Sequence, residues 1–353
     1  MNHLRRVEAG QPPLRPVRPP RPDAQPLYVQ EQGSKLGVRG DQLVVKQRGE
    51  EIGTARLEHT SHVAVFGGVQ VSTQALRKLV RSERVLAIYS AGGWFYGMVQ
   101  GHQRRSLDVR RAQFRAADDP KRCLELARRF VSTKIANQRT VLRRNHSGTI
   151  SPELKRLSAL RKQAERARSL ESLLGYEGTA ARVYWSLFPE LLKEGTRFMP
   201  AGRNRRPPRD PVNAVLSFLA ALLTKDASLA CSFAGLDSSL GFLHQPRPGK
   251  PALALDLMEE FRPLVVASTT LRAFNSRLLT ESDFVVAGEA GTSLTSAGRK
   301  KVLGAYERRL GQEVTHPVFG YSVSYRQVLA VQARLLGRHL LGEVPTYPEF
   351  TTR

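Results

Sequence analysis

Three segments of this chain set acids and an imidazole among apolar residues. The first reads Leu173-Leu174-Gly175-Tyr176-Glu177-Gly178 and runs into Ala181-Arg182-Val183-Tyr184. Leu173, Ala180, Val183 and Leu187 recur at helical spacing, which places Glu177 close to an apolar helix face. A carboxylate near such a face is costly unless it is paired or metal-bound, and Arg182 is an available partner. The second segment, Gly241-Phe242-Leu243-His244, predicts a half-buried imidazole, either a satisfied core histidine or a ligand. The third is Leu253-Ala254-Leu255-Asp256-Leu257-Met258-Glu259-Glu260-Phe261-Arg262-Pro263. On a helix, Asp256 shares a face with Glu259 and Glu260. Like charges this close raise one another's pKa unless a cation lies between them.

One imidazole and two or three carboxylates from distant parts of a chain suit Mn²⁺ or Mg²⁺, and can suit Zn²⁺. The candidate donors and catalytic residues are His244 and the acids Glu177, Asp256, Glu259 and Glu260, and spacing leaves the choice among the acids open. The charge balance indicates the substrate. Lys and Arg number 55 against 31 Asp and Glu, for a formal net charge of +24 and a pI near 10.8. So broad an excess calls for a negatively charged partner. Nucleic acid fits best, because neutralised phosphates release condensed counterions. At a metal site in such a protein the natural reaction is phosphodiester chemistry. Arg182, Tyr184 and the cluster Arg203, Arg205, Arg206 and Arg209 are candidate DNA-binding residues. So is the Arg-dense stretch from Arg104 to Arg168, whose charge signs are unbalanced.

The elements that must position these groups fall into an α+β arrangement. Residues 1–26 alternate Pro and Arg and predict a tail or linker. Residues 27–103 predict a small, mostly β domain for scaffolding or dimerisation. Its strands are expected at Gln42–Val45, Val63–Phe66, Val85–Ser90 and Trp94–Val99, with one helix capped by Ser72. Residues 104–345 predict a helical catalytic and DNA-binding domain, and 346–353 a C-terminal tail. Val212, Val215, Leu216, Leu219, Leu222 and Leu223 predict one buried helix, and Val328, Leu329, Leu335 and Leu336 another. Cys123 and Cys231 match neither a disulfide framework nor a structural zinc site. No apolar run is expected to span a bilayer and no signal peptide is evident, so the expected location is the cytoplasm.

The same phrases, taken in order, resemble the CRISPR-associated protein one family, the spacer-acquisition integrase. The matching residues are the Glu177 and His244 segments, Asp210-Pro211-Val212-Asn213, Ala234-Gly235-Leu236-Asp237 and the run from Leu255 to Pro263. Leu294-Thr295, Arg299-Lys300, His316-Pro317 and Gly342-Glu343 follow. The resemblance runs from about Leu27 to the C-terminus. It implies a homodimer that assembles around the CRISPR-associated protein two. It also implies a metal held by Glu177, His244 and Glu259, and attack by a short DNA's 3′-hydroxyl on double-stranded CRISPR repeat DNA. Many relatives carry an Asp shortly after the Arg-Pro, where this chain reads Leu264-Val265-Val266-Ala267. Some relatives are fused to other adaptation proteins. Two rivals remain open at this point: a structure-selective DNA nuclease using the same ligands, and a basic DNA-binding scaffold without catalysis.

Overall fold

The computed structural model describes residues 17, 24–101, 107–193, 198, 200, 202–204, 207–288 and 291–352. The chain divides into two compact units, Arg21–Arg104 and the remainder. The smaller unit holds eight strands, one α-helix and one short 3-10 helix (Leu57–His59) among its described residues. Strands β1 (Gln25–Val29), β5 (Thr60–Phe66), β7 (Val85–Tyr89) and β8 (Phe95–Val99) form one sheet, in that order. The second sheet runs β4 (Glu50–Arg56), β3 (Gln42–Gln47), β2 (Lys35–Arg39) and β6 (Gln70–Val71). Leu36, Leu43, Val63 and Val65 from the two sheets share one core with Leu79 of helix α1 (Thr73–Arg81). Ser72 caps α1 by accepting from the Ala75 amide at 3.2 Å, as its position before the apolar run predicts. β1 already starts at Gln25, so the first element begins inside the expected tail. Apart from Val17, the Pro- and Arg-rich residues 1–23 lie outside the described residues.

The larger unit is helical. Its helices are α2 (Leu107–Ala117), α3 (Pro120–Asn145), α4 (Ser151–Glu165), α5 (Leu170–Leu187) and α6 (Pro211–Phe233). Then come α7 (Ala252–Met258), α8 (Ser268–Asn275), α9 (Ser296–Gly311) and α10 (Tyr325–Leu340), with two short hairpins flanking α9. The two longest helices start at side-chain caps. Asp119 accepts from the Lys121 amide ahead of α3, and Asp210 from the Asn213 amide ahead of α6. Val212, Val215, Leu219 and Leu222 are buried on α6, and Val328 and Leu335 on α10, as their spacing predicts.

Two expectations are corrected here. α6 is apolar and long enough to cross a bilayer by length and composition, contrary to the sequence reading. Some 78% of its most apolar window is buried inside the unit, so it is the central core helix. It also carries the buried pair Lys225 and Asp226, 2.7 Å apart, with Arg326 and Tyr306 on the same carboxylate. Within the expected C-terminal tail, Tyr347 and Phe350 are packed into the core. Phe350 stacks on Phe261 with centroids 5.5 Å apart, and Tyr347 is fully buried against Glu260.

Candidate functional site

The site is assembled by α3, α5 and the segment from α7 to α8. α3 contributes Lys134, whose neighbours Phe130, Val131, Ile135 and Asn137 are all buried. The helix can therefore present this lysine only to the interior. Its ammonium lies 2.5 Å from Oε1 of Glu177 on α5 and 2.8 Å from Oε2 of Glu259. α5 is anchored at its start by a reciprocal cap between Ser169 and Ser172. Glu177 thus pairs with Lys134 and not with Arg182, which is exposed and reaches Thr179 at 3.4 Å.

Glu259 closes the last turn of α7, where the chain passes into a wider π-type turn over Arg262–Ala267. Arg262 donates to its Oε1 at 2.9 Å. Burial alone would raise the Glu259 carboxyl, but the Lys134 and Arg262 cations hold it well below the usual carboxylate range. Its Oε2 is buried and has Lys134 as an ion-pair partner by distance. It takes no hydrogen bond of proper geometry among the described residues. A cation compensates this oxygen, and its lone pairs are not fully engaged.

His244 is held from behind. Oδ1 of Asp256 accepts from the His244 amide at 2.8 Å and lies 2.7 Å from the ring Nδ1, while Oδ2 accepts from the Phe242 and Leu243 amides at 2.6 and 2.9 Å. A carboxylate offers about four acceptor sites, and here all are in use. In the neutral ring the proton shared with the carboxylate sits on Nδ1, which leaves Nε2 with a lone pair. Burial disfavours a charged His244, yet the Asp256 hydrogen bond and the negative charge of Asp256, Glu259 and Glu177 raise its pKa. Gly241 permits this cradle. A Cβ there would stand 2.8 Å from Asp256 Oδ2 and 2.8 Å from the Ala252 carbonyl carbon.

A cavity of about 230 Å³ opens beside the carboxylates, lined by Lys134, Glu177, Tyr184, Trp185, Arg203 and Arg262 among others. Arg203 enters it from the loop before α6. Asn213 holds the guanidinium at 2.7 Å and Trp185 lies beneath it, 5.8 Å from centroid to guanidinium carbon. The Asp210-Pro211-Val212-Asn213 phrase therefore caps α6 and also anchors this arginine. Tyr184 is 1% exposed, and its hydroxyl has no hydrogen-bond partner among the described residues. Arg209 is exposed, whereas Arg205 and Arg206 lie outside the described residues, as do Arg104 and Arg105. Within the Arg-dense stretch, Arg129 and Arg161 both reach Glu349, and Arg111, Arg115, Arg143, Arg156 and Arg168 are exposed.

Among the described residues no three His, Cys, Asp or Glu side chains are gathered as a metal cage. The place between Glu177 and Glu259 is taken by the Lys134 ammonium. The donor set nevertheless fits a divalent cation: two carboxylates facing one positive centre, an incompletely engaged buried oxygen, and an imidazole presenting Nε2. Sequence reasoning missed Lys134, Arg262 and the role of Gly241. A Lys 43 residues before the glutamate it pairs with leaves no local signal.

A profile of the family described as CRISPR associated protein Cas1 matches residues 27–308. A Cas4 exonuclease/Cas1 endonuclease fusion of Geobacter sulfurreducens is 45% identical over 96% of this chain, which spans 62% of that protein. A Cas1 endonuclease of Thermus thermophilus is 40% identical, with 93% of this chain and 97% of that protein covered. Among solved structures, a casposase bound to its integration product superposes with a TM-score of 0.81 at 23% identity. That match covers 92% of this chain and 94% of the casposase.

Proposed function

The chain belongs to the Cas1 family, and from that premise we propose that it is a metal-dependent DNA integrase of CRISPR adaptation. The observation that carries the reading is the pair Glu177 and Glu259 converging on one cation, with His244 oriented beside them. A divalent ion held by Glu177, His244 and Glu259, Mn²⁺ or Mg²⁺, would supply Lewis-acid polarisation of a target phosphodiester.

The chain's own groups do the rest. Asp256 is a positioning residue: it fixes the His244 ring through Nδ1 and so leaves Nε2 free to bind an ion. Arg262 holds Glu259 in place and ionised. Arg203 and Arg262 bring positive charge to the cavity wall, where a strand end's phosphate can be received and its 3′-hydroxyl oriented for attack. Exposed arginines of the helical unit bind the rest of the duplex through its phosphates, with little sequence preference. The proposal includes action in the cytoplasm as a homodimer assembled with the CRISPR-associated protein two.

The test is joining of a short duplex to a supercoiled plasmid bearing a repeat, with the small partner added. Joined strands are expected with a 3′-hydroxyl donor and divalent metal, and none with a 3′-deoxy donor. Cutting of repeat DNA that ignores the donor, without joined product, would replace this reading with a nuclease.

A further inference from the structure

Lys134 occupies the position that the proposed function gives to a metal ion. Its side chain is only 10% exposed and its ammonium touches both Glu177 and Glu259. An ammonium at these distances and a divalent ion at roughly 2.0 to 2.6 Å from the same oxygens exclude each other. Metal entry therefore requires the lysine to withdraw. The structure provides somewhere to go: Lys134 also lines the cavity shared with Arg203 and Arg262, and a four-carbon stem turns on rotatable bonds.

Resting on the metal reading above, we propose that Lys134 is an internal counter-ion, displaced by the divalent cation into the cavity, where its ammonium meets a DNA phosphate. In the metal-free protein the lysine keeps two carboxylates from repelling each other and holds α3 against α5. With the cation bound, those carboxylates are satisfied and the cavity gains a positive charge. Metal and DNA then strengthen one another's binding, and the coupling is reciprocal. A purely structural ion pair makes the opposite prediction for metal, because its loss would loosen the site and weaken binding.

The experiment titrates Mn²⁺ into the full chain and follows free Mn²⁺ by electron paramagnetic resonance. Lys134→Gln is expected to bind Mn²⁺ roughly ten- to a hundredfold more tightly than the native chain, because one charge-assisted contact no longer competes. Lys134→Arg keeps a competing cation and gains nothing. Mn²⁺ should raise the native chain's affinity for a short duplex, and that gain should be clearly smaller in Lys134→Gln, which lacks the released ammonium. A second measurement needs no variant. Acylation of the Lys134 amine, read by mass spectrometry, should be slow without metal and faster with Mn²⁺. Unchanged or weaker Mn²⁺ binding by Lys134→Gln, or Lys134 equally protected with and without Mn²⁺, overturns the proposal. If Glu177→Gln leaves native Mn²⁺ binding intact, the metal reading itself falls, and this inference with it.

Discussion

Replacing Asp256 by Asn removes one charge and changes no volume, so its consequences follow from the cradle. The carboxylate accepts from three amides and faces Nδ1 of His244, all between 2.6 and 2.9 Å, and is fully buried. An amide keeps only one acceptor oxygen. If that oxygen faces His244, the new NH₂ is thrust against the Phe242 and Leu243 amides, and two buried donors lose their acceptor. If it faces Phe242 and Leu243, only the His244 amide is orphaned, and the ring adapts by accepting at Nδ1. This second arrangement is the cheaper one. One unsatisfied buried donor costs about 1 to 3 kcal/mol, which for a unit of this size lowers the melting temperature by roughly 2 to 12 °C. The adapted ring carries its proton on Nε2, so the lone pair available there for a metal ion is gone. Asp256→Asn should therefore melt modestly earlier and bind Mn²⁺ far more weakly than its stability loss explains. Calorimetric melting and Mn²⁺ titration on the same sample measure the two effects separately. A variant with native Mn²⁺ affinity and a lowered melting temperature would refute the tautomer argument. An unchanged melting temperature would refute the cradle.

Glu177→Gln and His244→Ala should each abolish strand joining while leaving duplex affinity within about a factor of three, because dispersed phosphate contacts supply most of the binding. Joining and filter binding on the same preparations check this. Duplex affinity of the native chain should fall steeply between 50 and 200 mM salt, by roughly a thousandfold if six or more phosphates are neutralised, and vary little with sequence. A shallow slope would count against a phosphate-binding surface. Burial pushes the Glu260 carboxyl up to about 8, against hydrogen bonds from Tyr347, Phe350 and Gln332. Its folded pKa lies above the unfolded value, so its stabilising contribution is complete below about 4.5 and is lost as pH rises through 8. Urea unfolding should show native stability declining by a few kcal/mol across that window, and Glu260→Gln showing no such decline.

Most of the helical core was legible because it depends on spacing. The α6 and α10 stripes, and the cap residues Ser72 and Asp210, act within a few positions of where they stand. Glu177, His244, Asp256 and Glu259 were legible as costly polar groups in apolar segments, and the structure brings their segments together. Partnerships across the fold were not. Arg182 was the near candidate for Glu177, yet at five residues' distance it sits on another face of α5, and Lys134 arrives from α3 instead. Asp256 read as an acid beside Glu259, whereas its carboxylate turns back on the Phe242–His244 loop. The departure at Leu264–Ala267 also gains a physical reading. All four side chains are buried in the π-type turn, so a carboxylate placed there would need a partner of its own. The Tyr347 and Phe350 contacts were illegible because eight residues at a chain end carry no periodic signal.

Glu259 and Glu260 show how the two halves of the helical unit are joined. They are adjacent in sequence and both buried, and their surroundings push them in opposite directions. Glu259 faces Lys134 and Arg262 and is held ionised. Glu260 points the other way, into a pocket of Tyr347, Gln332 and the Phe350 amide, with no cation among its hydrogen-bond partners. The Glu260 carbonyl in turn accepts from Asn137, which also donates to the Phe350 carbonyl and lies one turn beyond Lys134 on α3. One side of this turn thus faces the site, and the other is clamped by α3, α10 and the C-terminal residues. The clamp fixes the backbone from which Glu259 projects, so its carboxylate cannot drift away from Lys134 without breaking bonds to three separate elements. A site built this way keeps its carboxylate placement when the charge at its centre changes, as the proposed exchange of an ammonium for a metal ion would require.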